Sequence, residues 1–396
     1  MTLLSQYRSL RKDIYVLFFG RMVTSLGSMV WPLLTLVLSR KLGMKATQIA
    51  LFTTASGLVY LPSAAIGGKL ADRFSKKNVI VYCDIISIAF YVVCSFIPLS
   101  IYSIIMLTFA GAFQQLEYPA YNALIADLTL SKDRERAYSL AYLGMNMGLV
   151  AAPTIAGFLF ENYVWLTFLT SGISIGLSTI MIFFLVKDTS PVEETDEAGV
   201  YQKSQEDVGL WKILRKNKLI LLYVAIMMFY RSVYNQYSFL LPMDMGNLHG
   251  EKGATIYGSV LSLNSIVVVL FTPMLTKVFA KVPSTKKALT GHILLFAGYF
   301  TFLFFRGIIA AYYAAVFLFT LGEIMSTLVE GPYITQRIPI SHRGRVNGFM
   351  TIAKGVMFAV LELSAGSLYD RKSPVAAWTL VLTVLAFSLA LCVILV

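Results

Sequence analysis

The sequence predicts an all-α integral membrane protein, with twelve transmembrane helices in two pseudo-symmetric six-helix bundles. Composition, the placement of charge and an internal repeat lead there. Of 396 residues, 57% are hydrophobic and 14% charged, with a mean hydropathy of +0.71, far from the balance of a water-soluble globular chain. Crossing the hydrocarbon core takes ~20 mainly apolar residues. Twelve such spans are expected at roughly 14–38, 47–67, 78–98, 102–126, 138–160, 165–186, 219–242, 254–275, 288–305, 310–335, 346–368 and 375–396. They are read as helices because a spanning segment must satisfy its own backbone polar groups, and the alternation of a membrane barrel is absent.

Before span 1, MTLLSQYRSLRKD carries charge and no apolar core of its own, so no cleavable signal peptide is expected and span 1 serves as its own insertion signal. Taking the N-terminus as cytoplasmic, 23 of the 33 Lys and Arg fall in the N-terminal segment and the loops on that side. Seven (Arg40, Lys41, Lys45, Lys252, Arg306, Arg371, Lys372) fall on the other, and three lie inside spans. The positive-inside rule places both termini in the cytoplasm of a plasma-membrane protein. The formal charge of +12 is then topology and contact with anionic lipid, and excludes nucleic acid as a partner. Cys83, Cys94 and Cys392 all sit in spans and three His complete the set, a supply that suits neither a disulfide framework nor a soft-metal site.

The polar stretch at 187–218, containing PVEETDEAG, is expected to be a cytoplasmic linker between an N-terminal bundle at 1–186 and a C-terminal bundle at 219–396. The two echo each other in order. Arg21 precedes Pro32 by eleven residues, as Arg231 precedes Pro242. Glu117-Tyr-Pro119 in span 4 matches Glu330-Gly-Pro332 in span 10. Arg134-Glu-Arg136 and Arg343-Gly-Arg345 follow, and stand at equal distances before AGFLFE and AGSLYD. A six-helix unit repeated in parallel, with a site near mid-membrane, is the arrangement this implies.

Between spans 2 and 3 the chain reads GKLADRFSKKNVI, four cations and an aspartate in thirteen residues. The stretch resembles the G-x-L-a-D-R-x-G-R-[RK]-x-x-[LI] signature of the major facilitator superfamily through Gly68, Leu70, Asp72, Arg73, Lys76, Lys77 and Ile80, departing at Ser75, where the family has glycine. LGSMVWP (26–32), GLVAAPTIAG (148–157) and FTLGEI (319–324) are similar to the drug/proton antiporter branch, with Ala152 and Ala156 in place of glycines and no arginine in span 4. The resemblance implies the major facilitator fold and a conformational latch built from Gly68, Asp72, Arg73 and Lys76, with Lys76 paired to Asp127 at the end of span 4. Asp72, beside a helix start, is placed to cap backbone N–H groups.

An ionisable side chain within a span costs at least ~2.5–3.5 kcal/mol and needs a partner, a cavity or a function. The cations are Arg21, Arg231 and Lys354, and the acids Asp84, Glu117, Glu323, Glu330 and Glu362. Asp84, near the cytoplasmic rim, is read as structural; the other seven are candidates for proton coupling and substrate binding. Lys354 and Glu362 can pair with span 10 or with each other. Glu323 and Glu330 share one helix face ~10 Å apart, and Glu323 falls on FTLGEI, whose glutamate in similar multidrug antiporters belongs to the substrate and proton site. Tyr230, Tyr234 and Tyr237 recur at helical spacing beside Asn235 and Gln236. Such a face, with a carboxylate, suits a lipophilic cation. Gly144-x-x-x-Gly148 is a close-packing surface between helices.

These residues point to a secondary transporter that exports small amphipathic or cationic compounds against protons by alternating access. It would need no cofactor beyond the proton gradient, bind a small-molecule substrate, protons and membrane lipid, and work as a monomer. A carrier dedicated to one metabolite class (siderophore, sugar or lipid) is the alternative, and a non-transporting receptor a more distant one. Without a G-x-x-x-x-G-K-[ST] phosphate loop or a nucleophile-and-base set in the sequence, neither a primary pump nor an enzyme is expected.

Overall fold

The computed structural model describes residue 7, residues 10–187, 217–335, residue 337 and residues 340–396. Most of the expected linker at 187–218 lies outside these residues, as do the side chains of Pro332, Arg343 and Arg345. The chain is built from α1 Lys12–Gly27, α2 Val30–Leu36 with a π-helical turn at Val37–Lys41, α3 Ala46–Arg73, α4 Lys76–Phe96, α5 Ile101–Asp127, α6 Ser131–Leu159 and α7 Val164–Leu185. After the linker come α8 Lys218–Tyr234, α9 Gln236–His249, α10 Lys252–Val278, α11 Ser284–Phe304, α12 Ile309–Thr335, α13 Ile340–Arg371 and α14 Pro374–Leu395. Among the described residues ten helical segments are long and apolar enough to cross a membrane. The residues of α5 fall outside the ten, their hydropathy lowered by Gln114, Gln115 and Glu117.

Local chemistry sets the breaks. Pro32 has no N–H, and its ring collides with the carbonyl four residues earlier, so α1 stops at Gly27 and α2 resumes at Val30. Between α3 and α4 the cap expected at Asp72 is instead Ser75, whose side chain accepts from the Asn78 amide at 3.4 Å. Asp72 still lies within α3, exposed, and cannot reach the amides of the helix that follows. The serine that replaces the family's glycine thus serves as a helix cap. Close approach in this region belongs to Gly67, where a Cβ would collide with the Leu116 backbone, whereas one at Gly68 would meet nothing within 4 Å.

The chain divides into two compact units. The first comprises Met1–Gly43, Phe52–Glu197 and Ala254–Ile266, the second Met44–Leu51, Ala198–Gly253 and Val267–Val396. In the first, α1 packs along α6 and α7, and α4 along α5 and α7. Gly144 and Gly148 let α6 close on α1: a Cβ at Gly144 would stand 2.7 Å from the Phe18 carbonyl oxygen. One core gathers Leu17, Ile80, Tyr121, Leu124, Leu140 and Ile182, and a second Val30, Tyr91, Leu107, Phe168 and Ile175. The first part of α10 joins this unit through Thr154 and Ser262, whose hydroxyls are 2.7 Å apart.

In the second unit α8 packs on α13 and α14, and α11 on α12 and α14. The pairing scheme of the first unit recurs, as the repeated sequence pattern requires. The first turn of α3 belongs here because Asp370 caps it, accepting from the Ala46 amide at 3.0 Å and the Thr47 amide at 2.8 Å. Leu58, Phe184 and Ile394 lie mostly exposed on the outer faces, as suits surroundings of lipid.

A buried carboxylate that the expected spans missed anchors the second unit. Asp244 lies in α9, beyond the predicted end of span 7, and is 1% exposed. Arg306 grips it with two bonds of 2.6 and 2.7 Å, Trp378 Nε1 donates at 2.9 Å and the Tyr369 hydroxyl at 3.2 Å. The hydrogen bond to Asp244, more than the Coulomb attraction, raises the pKa of the Arg306 guanidinium, against the opposing effect of burial. One carboxylate thus ties α9, α13, α14 and the turn after α11. Removing one partner of such a pair strands the other charge. Asp244→Ala is expected to lower the thermal unfolding midpoint in detergent by several degrees, on the order of 3 kcal/mol, and Arg306→Lys by less, since charge survives without the two-pronged geometry.

Candidate functional site

Each unit carries its own polar centre. In the first, Arg21 rises from α1 with its guanidinium 3.9 Å from the centroid of the Tyr121 ring and 5.7 Å from that of Tyr118. The Tyr121 hydroxyl is fixed by donating to the Leu17 carbonyl at 2.5 Å. Glu117 is the strongest electrostatic partner of Arg21, and Asp84 a further one. Both carboxylates are buried, at 8% and 6% exposure, and Thr179 of α7 donates to Asp84 at 2.6 Å. These groups line a cavity of about 230 Å³. A neighbouring one of about 200 Å³ shares Arg21, Tyr118, Tyr121 and Met145 with it. The sequence reading set Asp84 aside as structural, yet its carboxylate borders the same cavity as Glu117. The cost of any intramembrane charge applied to it equally, and was the signal available.

In the second unit the corresponding arginine, Arg231 of α8, lies 3.1 Å from Glu330 of α12. Lys354 of α13 forms an ion pair with the same carboxylate through its other oxygen. Of the two partners open to Lys354, span 10 is therefore the one it takes. Glu362, 2% exposed, lies further along α13. In both units the arginine of the first span faces the glutamate placed two residues before a proline.

Glu323, the second acid of α12, sits among tyrosines. Tyr234 donates a hydrogen bond to it, and Tyr230 and Tyr237 are its electrostatic neighbours. Tyr234 stacks on Phe319 at 5.2 Å and meets Tyr237 at 5.3 Å. Tyr230 is fully buried and donates to the Gly322 carbonyl at 2.9 Å. Gln236 is likewise fully buried, its amide nitrogen on the Ser232 carbonyl, while Asn235 stands at the break between α8 and α9. The helical stripe read from the sequence thus divides into a ring locked in the core, Tyr230, and two half-buried rings around a carboxylate, Tyr234 and Tyr237.

The pattern of the Major Facilitator Superfamily matches residues 17–362. The chain belongs to this superfamily. It is a multi-pass membrane transporter, not an enzyme. A Na⁺, Li⁺, K⁺/H⁺ antiporter of Planococcus maritimus is 24% identical over 344 residues, 80% of each chain. The quinolone resistance protein NorA of Staphylococcus aureus is 28% identical over 184 residues, 45% of this chain and 46% of its own. Among solved structures, the peptide transporter POT in complex with sulfate matches with a TM-score of 0.75 at 18% identity, over 97% of this chain and 93% of its own. A bacterial homolog of the human lysosomal transporter Spinster, inward-facing and unoccupied, gives 0.67 at 14% identity, over 97% and 94%. At such identities the likeness is one of fold.

In this facilitator the ion pair that the resemblance implied joins the start of α4 to the end of α5, with Lys76 Nζ 3.1 Å from Asp127 Oδ2. Arg73, like Asp72, is exposed. Glu330 is the counter-charge of two cations, Arg231 and Lys354. Glu330→Gln strands both, whereas Glu323→Gln removes a carboxylate held by tyrosines. A larger fall in the thermal unfolding midpoint is expected for Glu330→Gln, measured by nano-scale fluorimetry of the purified proteins; equal midpoints would contradict this division.

Proposed function

We propose that this facilitator is a proton-coupled exporter of small amphipathic or cationic compounds, binding them at Glu323. The observation that carries the reading is a carboxylate of α12 hydrogen-bonded to Tyr234 and flanked by Tyr230 and Tyr237. A lipophilic cation gains charge attraction and ring contact there in surroundings of low dielectric. The antiporter and quinolone-resistance relatives support it.

In the proposed architecture twelve spans form six-helix bundles at 1–186 and 219–396, joined by a cytoplasmic linker at 187–218, with both termini cytoplasmic in the plasma membrane and the monomer as the working form. Deprotonated Glu323 takes substrate from the cytoplasm, the bundles rock, and protonation from outside displaces the substrate. Return of the protonated carrier resets it. Coupling requires only that proton and substrate bind the two access states differently. Arg21, Glu117, Arg231, Glu330, Lys354 and Glu362 complete the coupling and substrate network, with Asn235 and Gln236 on the substrate side of Glu323, and the Lys76–Asp127 pair with Gly68, Asp72 and Arg73 is the latch of one access state.

Two experiments test this. In sealed proteoliposomes, lipophilic cations are expected to drive proton movement that Glu323→Gln reduces at least tenfold. Flux indifferent to the substitution removes Glu323 from the coupling step, and no flux with any cation turns the assignment to a carrier for one metabolite class. For the latch, Lys76→Asp and Asp127→Lys are each expected to lower transport, and the double exchange to recover part of it. A double variant no better than either single one contradicts the pairing's role.

A further inference from the structure

Glu330 and its two cations have an unused neighbour. Tyr223 of α8 is fully buried, and among the described residues its hydroxyl has no hydrogen-bond partner. Two other buried tyrosines of this unit spend theirs, Tyr230 on the Gly322 carbonyl at 2.9 Å and Tyr299 on the carbonyls of Val233 and Tyr234. A buried donor left unused costs free energy comparable to a lost hydrogen bond, so the Tyr223 hydroxyl calls for a use that the observed arrangement does not display.

Its position shows which group it can serve. Tyr223 stacks on Tyr333 of α12, with ring centroids 4.1 Å apart and planes within 23° of each other. Tyr333 follows Glu330 by three residues, so the two are neighbours on one face of the helix, and stacking on the one brings Tyr223 beside the other. Glu330 is accordingly its strongest electrostatic neighbour, ahead of Arg231, Tyr333 and Cys392. Of these, an arginine only donates and a thiol accepts weakly, and the Tyr333 hydroxyl takes no bond from Tyr223 in the stack. A carboxylate offers about four acceptor positions. Glu330 gives one oxygen to Arg231 and the other to Lys354, and is the acceptor with capacity to spare.

The two cations are not held alike. Arg231 is fixed a second time, its guanidinium 5.6 Å from the centroid of the Tyr234 ring. Lys354 holds Glu330 through one ammonium group on a side chain that is 19% exposed, so it can leave the carboxylate for water. A buried carboxylate deprived of one counter-charge must find another donor. We propose that Tyr223 is that donor: when Lys354 releases Glu330, the Tyr223 hydroxyl turns to the freed oxygen and keeps the carboxylate hydrogen-bonded. Tyr223 is thus a positioning residue of this centre, and it lets Lys354 change partner without stranding Glu330. The inference goes beyond the export reading and stands or falls without it.

The test is a double-mutant cycle on the thermal unfolding midpoint of the full-length protein purified in detergent, combining Tyr223→Phe with Lys354→Met. With Lys354 present, Tyr223→Phe removes only an unused hydroxyl, and the midpoint is expected to hold or rise. In the Lys354→Met background the same change removes a bond to Glu330, and a fall of roughly 2 °C is expected. Tyr299→Phe removes a donor bonded in either background; it should lower both midpoints equally, showing that the assay registers one lost hydroxyl bond. A fall for Tyr223→Phe in both backgrounds makes its hydroxyl an ordinary structural donor, and no change in either makes it inert or held by water. Each of these outcomes overturns the proposal.

If Lys354→Met does not fold, a measurement with Lys354 intact decides. Trace acetylation with acetic anhydride, read residue by residue by mass spectrometry, reports how often the Lys354 ammonium leaves its carboxylate. Without the Tyr223 hydroxyl the released state loses its replacement bond, so Tyr223→Phe is expected to slow labelling of Lys354 about fivefold relative to Lys252, an exposed lysine of the same unit. Unchanged or faster labelling of Lys354 overturns the exchange equally.

Discussion

Every polar choice in this protein answers to one constraint, that a charge or an unpaired backbone group inside hydrocarbon has no water to turn to. Helices follow because they satisfy their own backbone. The side chains that remain charged must find protein partners, and the two units solve that problem differently. Asp244 collects donors from Arg306, Trp378 and Tyr369, and Glu330 collects two cations. The second unit thus surrounds these acids with donors. In the first unit a single arginine stands among two carboxylates, beside a cavity of about 230 Å³.

That difference is informative because the frameworks match. The packing of α1 on α6 and α7, and of α4 on α5 and α7, returns as α8 on α13 and α14, and α11 on α12 and α14. Arg21 and Arg231 occupy corresponding positions, as do Glu117 and Glu330. What distinguishes the centres is the addition of Lys354 on α13 in one and Asp84 on α4 in the other. A cation added to an arginine–glutamate pair gives its carboxylate a second counter-charge; an acid added to the same pair leaves the arginine shared between two carboxylates.

The aromatic cluster shows the same division at finer scale. Three tyrosines at helical spacing look equivalent along α8 and α9, yet Tyr230 spends its hydroxyl on the Gly322 carbonyl deep in the core, while Tyr234 spends its own on Glu323. Tyr299 donates to the carbonyls of Val233 and Tyr234 at 2.7 and 3.0 Å, where α8 gives way to α9. The helix interruption and the Glu323 carboxylate are therefore held by neighbouring bonds.

Length and hydropathy alone determined that this chain is helical and membrane-embedded, because a span of apolar residues has no other way to satisfy its backbone. The repeat of Arg, Glu and Pro in order made the twofold organisation legible, and the GKLADRFSKKNVI stretch pointed to the superfamily and to Lys76 with Asp127. Span 1 was expected as one continuous stretch, and the break between Gly27 and Val30 has a local cause, the missing N–H of Pro32. The sequence could not tell that Ser75 and not Asp72 caps α4, since that depends on where α3 ends, nor that Asp244 is an anchor, since its partners lie 62, 125 and 134 residues away in the chain. It left Lys354 between two acids and set Asp84 aside. Which charges meet is decided by how helices rotate about their axes as they pack, and a helix surface that is apolar nearly all round carries no periodic signal to fix that rotation in advance; only the tertiary structure chose the faces, and with them the cavity.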